Sequence, residues 1–212
     1  NLYLMGFFRD TVDFDPGLGV TQLISSGNQD IFILKLDSNG SFVWAKQFMG
    51  GFGGGDDSDF RVDAKGNTYL MGSFYGTVDF DPGVGSFNLT SSGSKDFFIL
   101  RLTTSGNLIW AKKIGGANTE SGYGLTTDAN GSVYVTGNFR NIVDFDPSSG
   151  VSNLSPMGST DIFILKLDIN GNFVWVKQIG GTNEDRGISI SNDANGNLYV
   201  TGTFKDTADF DP

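Results

Sequence analysis

The sequence predicts an all-β protein assembled from a repeated unit of four antiparallel strands. Glycine is abundant, at 31 of 212 residues, and aromatic residues reach 13%. Glycine-punctuated aromatic segments suit strands joined by tight turns. Asp13, Asp79, Asp144 and Asp209 are spaced by 66, 65 and 65 residues, and Trp44, Trp110 and Trp175 by 66 and 65. A fixed period of this length marks a repeat architecture. The extra residue of the first interval is expected near Phe48–Met49, where "WAKQFMGG" stands against "WAKKIGG".

Each period reads in the same order. A loosely apolar first strand, "GYGLTTD" or "GISISND", meets a turn such as "DANG". Asp and Asn side chains close that turn and Gly supplies its positive φ angle. The second strand is "SVYVTGNF" or "NLYVTGTF". A "DFDP" segment and a polar loop follow. The third strand, "DIFILKL", is apolar on alternate and intervening positions alike, as a strand covered on both faces must be. A second Gly-containing turn leads to the fourth strand, "NFVWVKQI", and a "GG" pair marks the crossing to the next unit. Four antiparallel strands per unit, with central strands covered on both sides, describe the blade of a β-propeller.

The pattern of "D-x-x-G-N-x-Y-V-T-G-x-F", "D-I-F-I-L-K-L-D" and "G-N-F-V-W-x-K-Q-I-G-G" resembles the SBBP repeat, a bacterial β-propeller repeat, over the whole chain. One departure is Asp59, which stands where the other copies place Gly before the first strand. The resemblance implies a secreted or cell-surface protein of the kind that Bacteroidota export by type IX secretion, and it implies no defined activity. The blades expected are a partial one at 1–50, full ones at 51–115 and 116–180, and a partial one at 181–212. A propeller closes with four to eight blades, so the expectation is an incomplete propeller, a fragment of a longer chain.

Composition narrows the function. The net charge of −10 opposes nucleic acid and anionic lipid. Cys and His are both absent, which excludes disulfides, thiolate nucleophiles and the usual zinc sites. No apolar run approaches the length of a membrane helix.

Several residue sets could still carry chemistry. In an extended segment, residues i and i+2 share a side, so the pairs Asp13/Asp15, Asp79/Asp81, Asp144/Asp146 and Asp209/Asp211 are candidate calcium ligands. Calcium takes 6–8 oxygens, however, and the simpler reading is a strand exit in which the aspartates cap turn amides and the Phe points inward. Catalysis needs unlike residues around one cavity, and the repetition of every carboxylate argues for a scaffold, so no catalytic residue and no resident cofactor are expected. Glu120 and Glu184, the only glutamates, sit at offset places in successive "GG" loops expected on a rim. They are the acids that a carbohydrate-active propeller would draw on. The tryptophans are expected to pack blade on blade, with Lys46, Lys112 and Lys177 on the same strand face and able to lie against the ring. "DTV" at Asp10–Val12 and "DTA" at Asp206–Ala208 resemble an Asp-Thr-aliphatic O-glycosylation sequon, which makes Thr11 and Thr207 candidate glycan carriers. The expectation is therefore a structural or interaction module outside the cell that binds protein or glycan through blade loops. A calcium-stabilised adhesin and a carbohydrate-active propeller are the alternatives.

Overall fold

A computed structural model describes residues 1–53 and 57–211. The first period holds β1 (Leu2–Phe8), β2 (Thr11–Asp13), β3 (Gln22–Ile24), β4 (Asp30–Leu36) and β5 (Phe42–Phe48). The second holds β6 (Asp59–Val62), β7 (Thr68–Phe74), β8 (Thr77–Asp79), β9 (Asn88–Thr90), β10 (Asp96–Leu102) and β11 (Leu108–Ile114). The third holds β12 (Ser121–Thr127), β13 (Val133–Phe139), β14 (Val143–Asp144), β15 (Asn153–Leu154), β16 (Asp161–Leu167) and β17 (Phe173–Gly181). β18 (Arg186–Asn192), β19 (Leu198–Thr203) and β20 (Ala208–Asp209) follow. No α-helix occurs among the described residues, and no helix is long and apolar enough to cross a membrane.

The large strands form antiparallel blades. β6-β7-β10-β11 is a complete four-stranded sheet, and β12-β13-β16-β17 is another that carries β20 as a fifth strand on the end of β17. β1-β4-β5 lacks a first strand, and β18-β19 lacks a third and fourth. The sheets form an open array, so the chain is an incomplete propeller.

Each turn between paired strands is built by its own residues. Asp37, Asp63, Asp128, Asp168 and Asp193 each accept two backbone N–H bonds, from residues two and four positions on, at 2.8–2.9 Å. Gly40, Gly66, Gly131, Gly171 and Gly196 close these turns at φ of 76–87°, where a Cβ is disfavoured.

Burial follows position in the array. β10 and β16 are buried at six of seven positions, whereas β4, with a blade on one side only, is partly exposed at Phe32, Leu34 and Lys35. Three clusters form the interior, one centred on Phe74, Phe80 and Phe98, one on Phe139, Phe145 and Phe163, and a smaller one of Tyr134, Ile164 and Ile190.

The segment after the second strand differs from the polar loop expected. β2·β3, β8·β9 and β14·β15 pair as small antiparallel arms. Strands of two or three residues are too short to show a period, which is why the sequence reads there as a loop. The extra residue of the first interval also moves. Gly50 lies against Val78 as Gly116 lies against Val143, so the two glycines correspond at a spacing of 66. The insertion therefore falls after Gly50, in a stretch that includes residues outside the described set.

Candidate functional site

The DFDP aspartates act on their own backbone. Asp13 Oδ1 accepts the N–H of Asp15 (3.1 Å) and of Thr21 (2.8 Å), and Asp15 Oδ1 accepts that of Gly17 (2.8 Å). Asp79 Oδ1 accepts from Asp81 (3.0 Å) and Phe87 (2.7 Å), and Asp81 Oδ1 from Gly83 (2.9 Å). Asp144 Oδ1 accepts from Asp146 (3.0 Å) and Ser152 (2.8 Å), and Asp146 Oδ1 from Ser148 (2.9 Å). Asp209 Oδ1 accepts the Asp211 N–H at 3.0 Å. The first aspartate thus staples both ends of each arm loop, and the second closes the Pro-Gly or Pro-Ser turn. At Asp79 burial pulls the carboxyl up, but the amides of Phe87 and Asp81 hold it below its usual value. Among the described residues no group of three or more acidic side chains is placed to hold a metal ion.

The phenylalanine between the aspartates explains why the turn is fixed in space. Phe80 meets Phe74 edge-on at 5.2 Å and Phe98 at 4.6 Å. Phe14 does the same with Phe8 (5.3 Å) and Phe32 (4.7 Å), and Phe145 with Phe139 (5.3 Å) and Phe163 (4.9 Å). The third ring needs a glycine opposite. Gly6, Gly72 and Gly137 pair across the ladder with Phe32, Phe98 and Phe163, and a Cβ on any of them would lie 2.9 Å from the ring. A strand glycine of this kind marks close approach.

Tryptophan joins one blade to the next. Trp44 Nε1 donates to the Thr104 carbonyl (3.1 Å), which also accepts from Lys35 Nζ (2.9 Å). Trp110 Nε1 and Arg101 both donate to the Ile169 carbonyl at 3.0 Å. Thr104 and Ile169 lie in the turn between the third and fourth strands of the following blade. The glycines of those turns, Gly106 and Gly171, pack on the Trp rings and on the stems of Lys46 and Lys112. A cation also stands over a tryptophan ring, Lys35 over Trp44 at 5.9 Å, and cation–ring contacts recur along the third strands. Lys35, Arg101 and Lys166, on the third strands, stand over Tyr3, Tyr69 and Tyr134 at 5.0–5.4 Å. These residues are cross-strand partners, a relation that only the register reveals.

The two glutamates occupy unlike places. Glu120 is fully buried beneath the glycine pair, where Oε2 accepts the Gly116 N–H at 2.7 Å. Its counterpart is Asp185, whose oxygens accept the N–H groups of Gly181 (2.8 Å) and Lys205 (3.0 Å). Glu184 is partly exposed and pairs with Arg186 at 2.5 Å. Glu120 Oε1 and Asp96 Oδ1 have no hydrogen-bond partner. Burial, then the nearby Asp96 charge, outweigh the Gly116 amide and push the Glu120 carboxyl up to about 7. Asp59, the residue that departs from glycine, reaches across a junction and accepts the Leu125 N–H at 2.9 Å. At the equivalent Gly124 a Cβ would press on Ser189 and Ile190 of the next blade.

Thr11 and Thr207 are both exposed. The residue before each has a left-handed backbone, Asp10 at φ 58° and Asp206 at 64°, and so do Gly76 at 69° and Asn141 at 57° in the middle copies. Asp, Gly and Asn are the residues that tolerate this conformation. Backbone geometry therefore accounts for the Asp of the sequon-like "DT" pairs.

A family model described as "SBBP: Beta-propeller repeat" matches residues 109–138 and 174–203. Each match opens on the fourth strand of one blade, crosses the glycine pair and ends in the second strand of the next. The sequence repeat thus straddles the junction that the buried acids and glycines build. The chain is also similar to "Uncharacterized WD repeat-containing protein L264" of Acanthamoeba polyphaga mimivirus, 36% identical over 121 residues, covering 50% of this chain and 9% of that protein. It is similar to "Regulatory protein FlaEY" of Caulobacter vibrioides, 27% identical over 142 residues, covering 67% of this chain and 15% of that protein. The chain spans a small part of the length of these curated relatives.

Proposed function

We propose that this chain is a rigid, non-catalytic interaction module of a larger secreted or cell-surface protein, and that it binds a protein or glycan partner through loops on one face of the blade array. The observation that carries this reading is the use made of the repeated polar and aromatic residues. DFDP carboxylates close turns, tryptophans and strand cations clamp blades, and buried acids hold the glycine crossings. What repeats and remains free for contact is the set of arm tips. Leu18 and Val84 occupy the same position in the first two arms and are fully exposed. Ser149 takes that place in the third. Val20, Val151 and Phe87 add exposed apolar surface beside them. Scattered exposed apolar residues are ordinary, but equivalent tips repeated along one face favour a contact surface. The WD-repeat and regulatory names of the relatives are in keeping with an interaction role.

The test is binding of the purified chain to a glycan array and to bacterial surface fractions, compared with a Leu18→Asp/Val84→Asp double variant. Binding that the double variant loses, at an unchanged melting temperature, supports the reading. Binding that survives in the double variant moves the surface elsewhere, and turnover of a glycan by the purified chain overturns the non-catalytic assignment. Intact-mass measurement on protein from an exporting host decides whether Thr11 and Thr207 carry glycans.

A further inference from the structure

A cleft opens between the second and third blades, at the end of the strands opposite the arm tips. Its walls are the β6–β7 turn of one blade and the β12–β13 turn of the next, and Ile169 of the β16–β17 turn completes the lining. All of these elements belong to complete blades, so the cleft is a feature of a finished junction. Its volume is about 280 Å³. Val62, Ala64, Ala129 and Ile169 give it apolar surface, and its charged side chains are Asp63, Lys65, Arg101 and Asp128.

The acids of the cleft are committed to their own turns. Asp63 accepts the N–H groups of Lys65 and Asn67 (2.9 Å each) and the Asn67 side-chain amide (2.7 Å), with the Tyr69 hydroxyl at 3.5 Å. Asp128 accepts the N–H groups of Asn130 and Ser132 (2.9 Å each) and the Tyr134 hydroxyl (3.1 Å). The cations are not committed in this way. Neither Arg101 nor Lys65 forms an ion pair among the described residues. Arg101 Nη1 donates to the Ile169 carbonyl at 3.0 Å, while Nε is buried with no hydrogen-bond partner. A guanidinium carries five N–H donors, so most of its capacity is idle. The equivalent third-strand residues are Lys35 and Lys166, and Lys35 makes the matching bond to the Thr104 carbonyl at 2.9 Å. The clamp between blades therefore needs only a cation. Arginine in place of lysine adds a planar fork that fits a carboxylate.

The geometry points to a small-ligand site in this cleft for an organic carboxylate, held by the idle N–H groups of Arg101, with Lys65 at the mouth and the ligand's carbon chain against Val62, Ala64, Ala129 and Ile169. A carboxylate laid along the guanidinium supplies the acceptors that it lacks, and a sheltered charged pair of this kind is stronger than one in open water. The cleft is smaller than the usual pocket for a drug-sized ligand, which suits an acid of a few carbons. Asp63 and Asp128 repel a second negative group, so a monocarboxylate is favoured over a diacid. A free acid and the side chain of a glutamate present the same group. The site lies apart from the arm tips, so the two can fail independently.

The test uses the full chain with isotope-labelled arginine, followed by magnetic resonance. Sodium butanoate is titrated beside butanamide, its uncharged isostere, and beside a glutamate capped at both ends. The Arg101 Nε–H signal is expected to move to saturation with butanoate and to stay in place with butanamide. Arg101→Lys keeps the clamp that Lys35 already makes, and it should weaken butanoate binding about tenfold or more, read from the backbone amides of Ala64 and Ala129. Tighter binding of the capped glutamate than of butanoate assigns the acid to a peptide, and the reverse assigns it to a free acid; both support the site. An equal response to butanamide would mean an apolar cleft with no recognition of charge and would overturn the proposal, as would undiminished binding to Arg101→Lys or a shift that never saturates. The butanoate–butanamide comparison is made on the unaltered chain and stands whatever that variant does.

Discussion

Phe80, fully buried between Phe74 and Phe98, gives the DFDP motif its purpose, since the aspartates hold in place the turn that delivers the ring. Phe80→Ala is expected to lower unfolding free energy in urea by about 3–5 kcal/mol, and Asp79→Ala by about 1–2 kcal/mol, because two amides lose their acceptor. On the same reading a chelator leaves the melting temperature unchanged, and a fall on chelation would restore the calcium assignment. Glu120 makes a different kind of prediction. Its carboxyl is raised from 4.5 to about 7 in the folded chain, so the native state holds a proton that the unfolded chain releases. Stability is unaffected by this group below about pH 4.5, falls as pH rises from there to about 7, and is level beyond. The total is on the order of 3 kcal/mol. Glu120→Gln should remove this slope from the pH profile of denaturant midpoints; an unchanged profile would show that another group titrates. Of these residues, Phe14 and its partners were legible as inward-facing from their repetition, and the capping role of the aspartates from the Pro that follows. The buried Glu120 was not, because its counterpart is an Asp one position off the other glutamate, and a lone sequence offers no register for so short a loop.

The blade junction is set by four elements acting together: the third and fourth strands of one sheet, and the turn and glycine crossing of the next. Trp110→Phe keeps most of the packing on Gly171 and removes only the Nε1 donor to Ile169. It is expected to cost about 1 kcal/mol, whereas Trp110→Ala should cost about 3–5 kcal/mol; equal losses would mean that the hydrogen bond, not the ring, carries the junction. The long strands were readable from pattern, since "DIFILKL" is β16 end to end and its two-sided apolarity matches burial on both faces. The arm strands and the cation–tyrosine pairs were not, because the first are too short for a period and the second are neighbours only across a ladder.

Across the whole array, the number of covering neighbours decides how firmly each sheet is held. β10 and β16 lie inside and are almost wholly buried, whereas β1, β18 and β19 sit at open edges. Hydrogen exchange should therefore be slowest in β10 and β16 and fastest in β18–β19, where opening exposes little further surface; uniform protection would indicate that the edges are covered in solution. Open edges also pair with other chains, so self-association is expected to rise with concentration. The sequence by itself determined the period, the strand order within a blade, the turn chemistry and the incompleteness of the propeller. All of these follow from local rules: side-chain alternation, Asp-x-x-Gly turns and a count of repeats. Only the tertiary structure decided what the repeated residues touch. Which carboxylate is buried and which cation meets a ring depend on strand register and on the next blade, and those are relations between segments distant in the chain.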